Sequence, residues 1–420
     1  MRTNYRYGIL ATLCIALLFC GEYAWGQNIA SQLKSTENKS PKGKIFTTAN
    51  YQGKRFQFIP ESNFDGTIFA SQANFNRSCF NLTASFDSTH FSSTSNFIAA
   101  RFYSMADFID ARFDSIADFH SAHFYSTVDF IDTHFYSTVD FHFAHFDSLT
   151  DFSYAHFKST ADFQQASFGN NCNFDFTILP DTLDFRYITR VKEEIDFTSS
   201  TLDSNKKIKC VIFLYGTDIS KVKINMQLFE IRFTDDEVYE QRTSVYEKLL
   251  AKFKQEGFEE SYQLLDIEYR RYKLTYNKLT ILDWFQTNWW NYGYNKEWVL
   301  TKWTPRAIVL FTLLNLLLLS RLHSGIYNLE FVAPILRDFH HWKAKRHSYP
   351  RRAFLKQGLP ICAKYVLATL VYTSMIFFRL KIELEKSNIK KHPWLFLYTL
   401  MLYTIGLICT GFIANVIFTK

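Results

Sequence analysis

The sequence predicts a mainly β protein, in which a solenoid of short strands precedes a helical hairpin and about three transmembrane helices. Three observations lead to this fold class. Between residues 97 and 168 the chain repeats itself every 11 residues, helical periodicity begins at Thr234, and three long apolar stretches lie towards the C-terminus. A fixed period is decisive because it specifies a stack of equivalent units, whose function has to come from an extended surface.

Each repeat unit contains two phenylalanines, which are separated alternately by five and six residues. A small or β-branched residue stands two positions before nearly every phenylalanine. An amphipathic helix needs apolar residues three and four apart, so this spacing excludes a helix. A short strand with two inward side chains and a following corner fits, and successive coils then stack about 4.8 Å apart. The predicted core ladder consists of Phe108, Phe113, Phe119, Phe124, Phe130, Phe135, Phe141, Phe146, Phe152, Phe157, Phe163 and Phe168.

Residues 106–110, Ala-Asp-Phe-Ile-Asp, and residues 117–121, Ala-Asp-Phe-His-Ser, share a unit with a small residue first and a phenylalanine at the centre. These units resemble the pentapeptide-repeat family, which implies a right-handed quadrilateral β-helix over residues 56–185. Every second unit here carries an extra residue, such as Ile116, so the repeat is an 11-residue double unit. A four-sided coil then takes about 22 residues, and the stack contains about six coils.

The charge distribution argues against a nucleic-acid partner. The chain carries a net charge of +7, but residues 97–168 hold ten aspartates against Arg101, Arg112 and Lys158. Binding to phosphates needs a basic surface, so we predict no nucleic-acid binding by the repeats. Some pentapeptide-repeat proteins instead mimic DNA with an acidic surface and block topoisomerases, a role that the export predicted below excludes.

The sequence contains no catalytic motif of a familiar kind. It has no P-loop, no nucleophile elbow, no HExxH helix and no Rossmann glycine pattern. Its seven cysteines show no CxxC pair and no spacing that indicates a disulfide framework. We therefore predict that the protein is not an enzyme and uses no cofactor.

A histidine register provides candidate metal ligands. His123, His134, His145 and His156 recur every 11 residues, just before the second phenylalanine of each unit. In a four-sided coil His123 stacks on His145, and His134 stacks on His156 on the opposite face. Neighbours about 4.8 Å apart are close enough to share a divalent metal. The alternative is that duplication of the repeat copied a histidine that has no ligand.

An aspartate register runs in parallel with the histidines. Stacked carboxylates repel one another, which favours protonation, counter-ions or bound calcium. The alternative is that aspartate is simply the usual residue of the family at this position. The register consists of Asp107, Asp118, Asp129, Asp140, Asp151 and Asp162.

Two segments follow the repeats. Residues 186–233 lose the period but keep strand-like runs, so we expect irregular coils that cap the stack and cover its edge. Residues 234–282 have the pattern of a helical hairpin, in which Thr234 and Glu237 form a capping box and Gly257 separates two helical faces.

The N-terminus predicts export. Residues 1–27 combine a basic start, an apolar run and a small-x-small cleavage site, which are the features of a secretory signal peptide. Residues 28–55 are expected to be a polar linker. The repeat domain therefore belongs outside the cytoplasm.

The C-terminal part predicts a multi-pass membrane region. Residues 283–304 are rich in Trp and Tyr, which favour the membrane interface. The expected segments are a first transmembrane helix at 305–322, a basic cytoplasmic loop at 323–357, a second helix at 358–379, a short outer loop at 380–393 and a third helix at 394–418. The apolar centre of the first helix is short, since its 14 residues (307–320) span only about 21 Å of a hydrocarbon core of about 30 Å.

Charge bias predicts the orientation. Residues 321–360 carry eight basic residues and two acidic residues, and positive loops stay in the cytoplasm. The first helix then runs from outside to inside. The repeat domain is accordingly expected on the extracytoplasmic side of a bacterial cytoplasmic (inner) membrane, in agreement with the signal peptide.

The function that we favour from the sequence is a membrane-anchored, exported scaffold that binds an unidentified protein partner. Gly406, Thr410 and Ala414 form a small-residue stripe, which suggests a homo-oligomer formed through the transmembrane helices. The alternative is a degenerate ion-channel-like or transport-accessory protein. Some pentapeptide-repeat proteins end in a two-helix pore module, and residues 289–294, Trp-Trp-Asn-Tyr-Gly-Tyr, resemble its start, but filter glycines are missing after Phe378.

Overall fold

A computed structural model describes residues 40–57, 61–204, 208–326, 329–345, 348, 350–378 and 393–418. The predicted signal peptide (1–27) lies outside these residues, as do residues 28–39 of the predicted linker and nearly all of the predicted outer loop. The chain divides into two compact units, Met1–Ser261 and Tyr262–Lys420.

The first unit is a parallel β-solenoid with four sheets, built from short strands that are mostly two residues long. The first sheet contains β1 (Ile45–Phe46), β4 (Ile68–Phe69), β8 (His90–Phe91), β12 (Arg112–Phe113), β16 (His134–Phe135) and β20 (His156–Phe157). The second sheet contains β2 (Ala49–Asn50), β5 (Ala73–Asn74), β9 (Ser95–Asn96), β13 (Ala117–Asp118), β17 (Val139–Asp140), β21 (Thr160–Asp162), β24 (Thr182–Asp184), β27 (Cys210–Phe213) and β29 (Phe229–Ile231).

The third and fourth sheets close the coil. The third sheet contains β3 (Arg55–Phe56), β6 (Cys79–Phe80), β10 (Arg101–Phe102), β14 (His123–Phe124), β18 (His145–Phe146), β22 (Ser167–Phe168) and β25 (Arg190–Val191). The fourth sheet contains β7 (Ala84–Ser85), β11 (Ala106–Asp107), β15 (Val128–Asp129), β19 (Thr150–Asp151) and β23 (Cys172–Asn173). A further pair joins β26 (Ile195–Asp196) to β28 (Val222–Lys223).

The strand register has the expected period of 22 residues. Phe102 pairs with Phe124, and Phe108 lies over Phe130, so one coil returns to the same sheet after four corners. The solenoid makes about eight turns, more than the six coils expected. The difference arises because strands already pair at Ile45, before the predicted start, and continue through the irregular coils as far as Ile231.

From Arg77 to Tyr187 the corners turn without glycine. A residue with positive φ recurs every 11 positions, and the carbonyl of Phe108 accepts a hydrogen bond from the Ala111 N–H across such a corner (3.0 Å). These residues occupy the left-handed region that few side chains tolerate well. They are Arg77, Ser88, Ala99, Asp110, Ser121, Asp132, Phe143, Tyr154, Gln165, Phe176 and Tyr187.

The aspartate register supports the same corners. The Asp107 carboxylate accepts a hydrogen bond from the Ile109 N–H (2.9 Å), and the Asp118 carboxylate accepts one from the His120 N–H (3.0 Å). Asn74 and Asn96 make the same bond in earlier coils, which shows that the oxygen acceptor is the shared feature and the charge is not. A side chain that satisfies its own backbone two residues on favours a turn.

The core is a set of phenylalanine columns. Phe130 is fully buried and stacks on Phe108 and on Phe152 with ring centroids 4.9 Å apart. It also meets Phe119 and Phe141 edge-on, at 5.6 and 5.5 Å. Stacked contacts along a column and edge contacts between columns are the two favourable geometries of aromatic rings. The twelve phenylalanines of the predicted ladder are all buried.

A helix covers the last coil. The helix α1 (Tyr239–Glu256) carries the buried Lys252, whose ammonium donates to Glu194 (2.5 Å) and to the carbonyls of Ser220 (3.0 Å) and Val222 (2.9 Å). The ammonium therefore satisfies backbone acceptors at the end of the stack, where no further strand pairs with them. The Glu237 side chain accepts a hydrogen bond from the Thr234 N–H (3.3 Å), which is one of the two bonds of the predicted capping box, but the Glu237 N–H bonds to the Thr234 carbonyl. The helix α1 begins later, after Val238, which donates its N–H to the Gln241 side chain (2.8 Å).

Six more α-helices complete the described residues. They are α2 (Glu259–Tyr276), α3 (Thr280–Trp289), α4 (Thr304–Gly325), α5 (Val332–Ala344), α6 (Arg351–Phe377) and α7 (Pro393–Phe418). Single turns of 3₁₀ helix lie at Ile219–Lys221 and Asn291–Gly293, and a π-helical turn lies at Val299–Trp303.

Among the described residues, three helical stretches are long and apolar enough to cross a membrane, which agrees with the predicted number. They are Val299–Gly325, Arg352–Phe377 and Pro393–Asn415. The first is longer than its apolar centre because the π-helical turn continues directly into α4. Its 27 residues correspond to about 40 Å of helix, which exceeds a hydrocarbon core of about 30 Å.

The second unit packs through close backbone approach and buried aromatic rings. A Cβ added to Gly406 in α7 would collide with the carbonyl oxygen of Phe377 at the end of α6. Within the basic segment, α5 stacks its Trp342 on Phe354 at 4.5 Å. Small residues at helix contacts are what allow helices to pack closely in a membrane.

Replacing Phe130 with alanine should strongly destabilise the repeat domain. The substitution removes stacking on two neighbours and leaves a cavity in mid-column, at a cost of about 3–5 kcal/mol. Hydrogen exchange of repeat peptides, measured by mass spectrometry on the detergent-solubilised full chain, should show faster exchange around residues 108–152. The matched control is Phe143→Ala, since Phe143 is exposed, and its effect should stay within about 0.5 kcal/mol. Equal exchange in both variants would contradict a column-packed core.

The charge at Asp118 should be unfavourable at neutral pH. Burial, opposed by the bond from the His120 N–H and reinforced by Asp140, raises the pKa of Asp118. A raised pKa in the fold means that this contribution to stability is present in acid and is lost as the pH rises through the folded pKa. Asp118→Asn keeps the acceptor and removes the charge, so we expect slower exchange than wild type at neutral pH and no difference below the ordinary aspartate pKa.

The companion variant separates charge from hydrogen bonding. Asp118→Ala removes the acceptor as well as the charge, so it should be about 1 kcal/mol less stable than Asp118→Asn at either pH. If Asp118→Asn were no more stable than wild type at neutral pH, the unfavourable contribution of the Asp118 charge would be negligible.

Candidate functional site

The predicted histidines lie in two pairs on two different sheets. His123 pairs with His145 in the third sheet, and His134 pairs with His156 in the first sheet. The first and third sheets face one another across the coil, because the chain passes through one other sheet between them in each direction. The four residues therefore form two separate outward-facing pairs with different surroundings.

The third-sheet pair is already hydrogen-bonded. His123 Nε2 lies 2.7 Å from a carboxylate oxygen of Asp147, and His145 Nδ1 lies 2.8 Å from the Ser167 hydroxyl. The ring of Tyr125 stacks on His123 with centroids 3.6 Å apart. Burial and the neighbouring His123 lower the pKa of His145. These contacts hold the pair in place and occupy one ring nitrogen of each histidine.

The first-sheet pair has a third neighbour. The rings of His134 and His156 stack with centroids 4.4 Å apart and planes at 21°. His134 Nδ1 lies 2.9 Å from the backbone carbonyl of Asp132, which is one of the left-handed corner residues. Asp132, His134 and His156 each offer a ligand atom, and these atoms lie within 4.8 Å of one another. Sequence reasoning identified the two histidines and missed Asp132, because the corner position does not belong to either register.

The charges around the first-sheet pair favour a neutral His156. Burial and then the neighbouring His134 lower the pKa of His156, whereas Asp132 and Asp203 act in the opposite direction. A neutral imidazole retains a lone pair on one ring nitrogen.

An exposed aromatic corner lies on the same column as Asp132. Tyr154 and Phe176 occupy the corner positions of the next two coils, with φ of 58° and 57°. Their rings stack at 5.2 Å, and they are 53% and 54% exposed. We call these two residues the aromatic corner. The sequence signal for it was available, since Asp110 and Asp132 give way to Tyr154 at the 22-residue spacing of one coil.

In the second unit, a polar cluster lies among the candidate membrane helices. The buried Asn315 of α4 donates to the Thr373 hydroxyl of α6 (2.9 Å) and accepts from the Tyr398 hydroxyl of α7 (2.7 Å). The Tyr365 hydroxyl donates to the carbonyl of Leu316 (2.8 Å). The bonds join all three helices, so the cluster acts as a packing device of the kind that polar side chains provide in membrane proteins.

Comparison with known proteins agrees with the repeat architecture. A family model described as pentapeptide repeats, with nine copies, matches residues 86–134 and 130–178. The match does not extend to the C-terminal helices. No curated protein and no solved structure matches the chain. Together with the 22-residue register and the four parallel sheets, this match shows that the repeat domain is a solenoid of pentapeptide repeats.

Proposed function

We propose that the protein is a membrane-anchored interaction scaffold, whose repeat domain binds a protein partner outside the bacterial cytoplasmic membrane. The observation that carries this proposal is the aromatic corner, which exposes two large rings on a pentapeptide-repeat solenoid in a chain with three candidate membrane helices.

The two residues of the aromatic corner are unfavourable for the left-handed backbone at this position, and they are not buried in exchange. The left-handed backbone at a corner suits Asp, Asn or Gly, and earlier coils use Ser88, Asp110 and Asp132 on this column. Tyr154 and Phe176 are bulky, and each leaves about half of its surface in contact with solvent. Aromatic residues are enriched at the energetic centres of protein interfaces, so a partner that buries both rings explains their presence.

The proposed orientation rests on charge. The segment that includes α5 carries Arg337, Lys343 and Lys345 within the predicted cytoplasmic loop. Moving such a basic segment across the membrane is disfavoured, and the N-terminal signal independently favours export of the repeats.

The other sequence-based roles remain predictions. Gly406 packs within the chain against Phe377, so the small-residue stripe has an intramolecular use, and the homo-oligomer stays a prediction. The alternative role as a degenerate channel or transport accessory also stays a prediction. The described polar side chains around Asn315 bond to one another between helices, which favours an anchor over an aqueous path.

Cysteine labelling tests the orientation. Ile116→Cys places a thiol on an exposed position of the repeats, and Lys343→Cys places one on the exposed surface of α5. With a membrane-impermeant maleimide added to spheroplasts, we expect labelling of position 116 in intact spheroplasts and of position 343 only after permeabilisation. The wild-type chain gives the background of the native cysteines. The reverse labelling pattern would overturn the proposed orientation.

Loss of the aromatic corner should abolish partner binding. In chemically cross-linked membranes, the double variant Tyr154→Ser with Phe176→Ser should lose the cross-linked complex, since truncating a hot-spot aromatic costs roughly 2 kcal/mol or more, about a 30-fold loss of affinity.

The matched control for the corner is Ile116→Ser with Leu149→Ser, which also removes two exposed apolar side chains. We expect this variant to keep the complex. An equal loss in both variants, or an unchanged complex in the corner variant, would rule out the corner as the contact surface.

A further inference from the structure

We propose that Asp132, His134 and His156 form a binding site for a divalent transition-metal ion, with Zn²⁺ as the best fit. The three side chains come from adjacent coils of the first sheet and its preceding corner, and their ligand atoms lie within 4.8 Å of one another. Two imidazoles and a carboxylate are a ligand set that zinc accepts, with a fourth position left for water.

The backbone selects a suitable tautomer of His134. A backbone carbonyl only accepts hydrogen bonds, so the 2.9 Å contact between His134 Nδ1 and the Asp132 carbonyl makes Nδ1 the N–H nitrogen. The lone pair then sits on Nε2. Metal-bound histidines commonly donate their other N–H to a carbonyl or carboxylate, which fixes the ring and increases its basicity as a ligand.

The fold holds the two rings at a spacing that a metal can use. His134 and His156 are direct partners in a parallel strand pair, and their centroids are 4.4 Å apart. Tetrahedral zinc bonds of about 2.0–2.1 Å require ligand atoms about 3.3 Å apart. Asp132 is exposed and both rings are half-buried, so their side chains are free to rotate. Such rotation brings the ligand atoms to this shorter separation without movement of the backbone.

The neighbours confine the site to one position of the array. On one side His134 pairs with Arg112, whose guanidinium binds Asp114 (2.7 Å) and lies over the Tyr136 ring. On the other side His156 is bridged to Ile178, which offers no side-chain ligand. Arg112 separates His134 from His90, the other histidine of this sheet, whose Nε2 lies 2.7 Å from Asp114. His134 and His156 therefore form one adjacent histidine pair with Asp132 beside it, and we expect one metal ion per protein chain.

The third sheet provides an internal comparison. His123 and His145 are also paired, with ring centroids 5.1 Å apart, but His123 Nε2 is bound to Asp147 and His145 Nδ1 to Ser167. Repeat duplication accounts for both pairs. Among the described residues, three ligand atoms that all lie within 4.8 Å of one another are found at the first-sheet pair, whereas Asp147 of the third sheet does not complete such a set.

Calorimetric titration with zinc chloride tests the site. The full-length chain is purified in detergent without a polyhistidine tag and titrated with Zn²⁺ near neutral pH. Wild type should bind one equivalent. Asp132→Asn, which the left-handed backbone tolerates well, and His156→Ala should each weaken binding by at least about tenfold. His145→Ala should bind as wild type does.

A second measurement makes the result independent of folding defects. Hydrogen exchange of peptides that cover residues 128–160 should slow on zinc addition in wild type and in His145→Ala, and stay unchanged in Asp132→Asn. Absence of zinc binding by the wild type would overturn the proposal. So would equal binding by all variants, since the metal would then sit elsewhere in the chain.

Discussion

Parallel pairing between residues 22 positions apart is the constraint on which the repeat domain depends. It places each side chain beside its equivalent in the next coil, so that phenylalanine meets phenylalanine in the core and histidine meets histidine at two places outside it. For phenylalanine this is favourable, and the rings form continuous columns from Phe56 through Phe168. For aspartate it brings charges together, and the carboxylates are retained because their oxygens hold the corners. For histidine it creates pairs, and the neighbouring side chains determine whether a pair has a third ligand beside it or is already hydrogen-bonded.

The residue type varies at the corner positions more than in the phenylalanine columns of the core. A substitution in a phenylalanine column disturbs several packed rings, whereas a corner residue points to solvent and is limited only by its left-handed backbone. The column that runs through Asp132, Tyr154 and Phe176 shows the consequence. Asp132 belongs to the proposed metal site, and the other two residues form the aromatic corner. The two proposed sites therefore lie along the same edge of the solenoid, about one coil apart.

The sequence was most informative within the 11-residue repeats, where the same period sets the packing of the side chains and the positions of the backbone corners. The buried ladder, the 22-residue coil and the separation of the histidines into two pairs all follow from the spacing of phenylalanines. The number of turns was underestimated, because coils at each end use other side chains, such as Ile45 and Ile231, and keep the register without the motif. The first membrane helix also gained length from the π-helical turn at Val299–Trp303, which hydropathy does not reveal.

By itself the sequence determined the family, the four-sided coil and the presence of three candidate spans, because each is encoded in a local and repeated pattern. Only the tertiary structure decided what the polar side chains do. Asp118 and its equivalents bond to their own corners, Lys252 satisfies the carbonyls of the last coil, and Asn315 joins three helices. Asp132 comes together with His156 across a full coil. A hydrogen bond or a ligand set depends on angles and distances between residues remote in the chain, and those are set only when the coils stack.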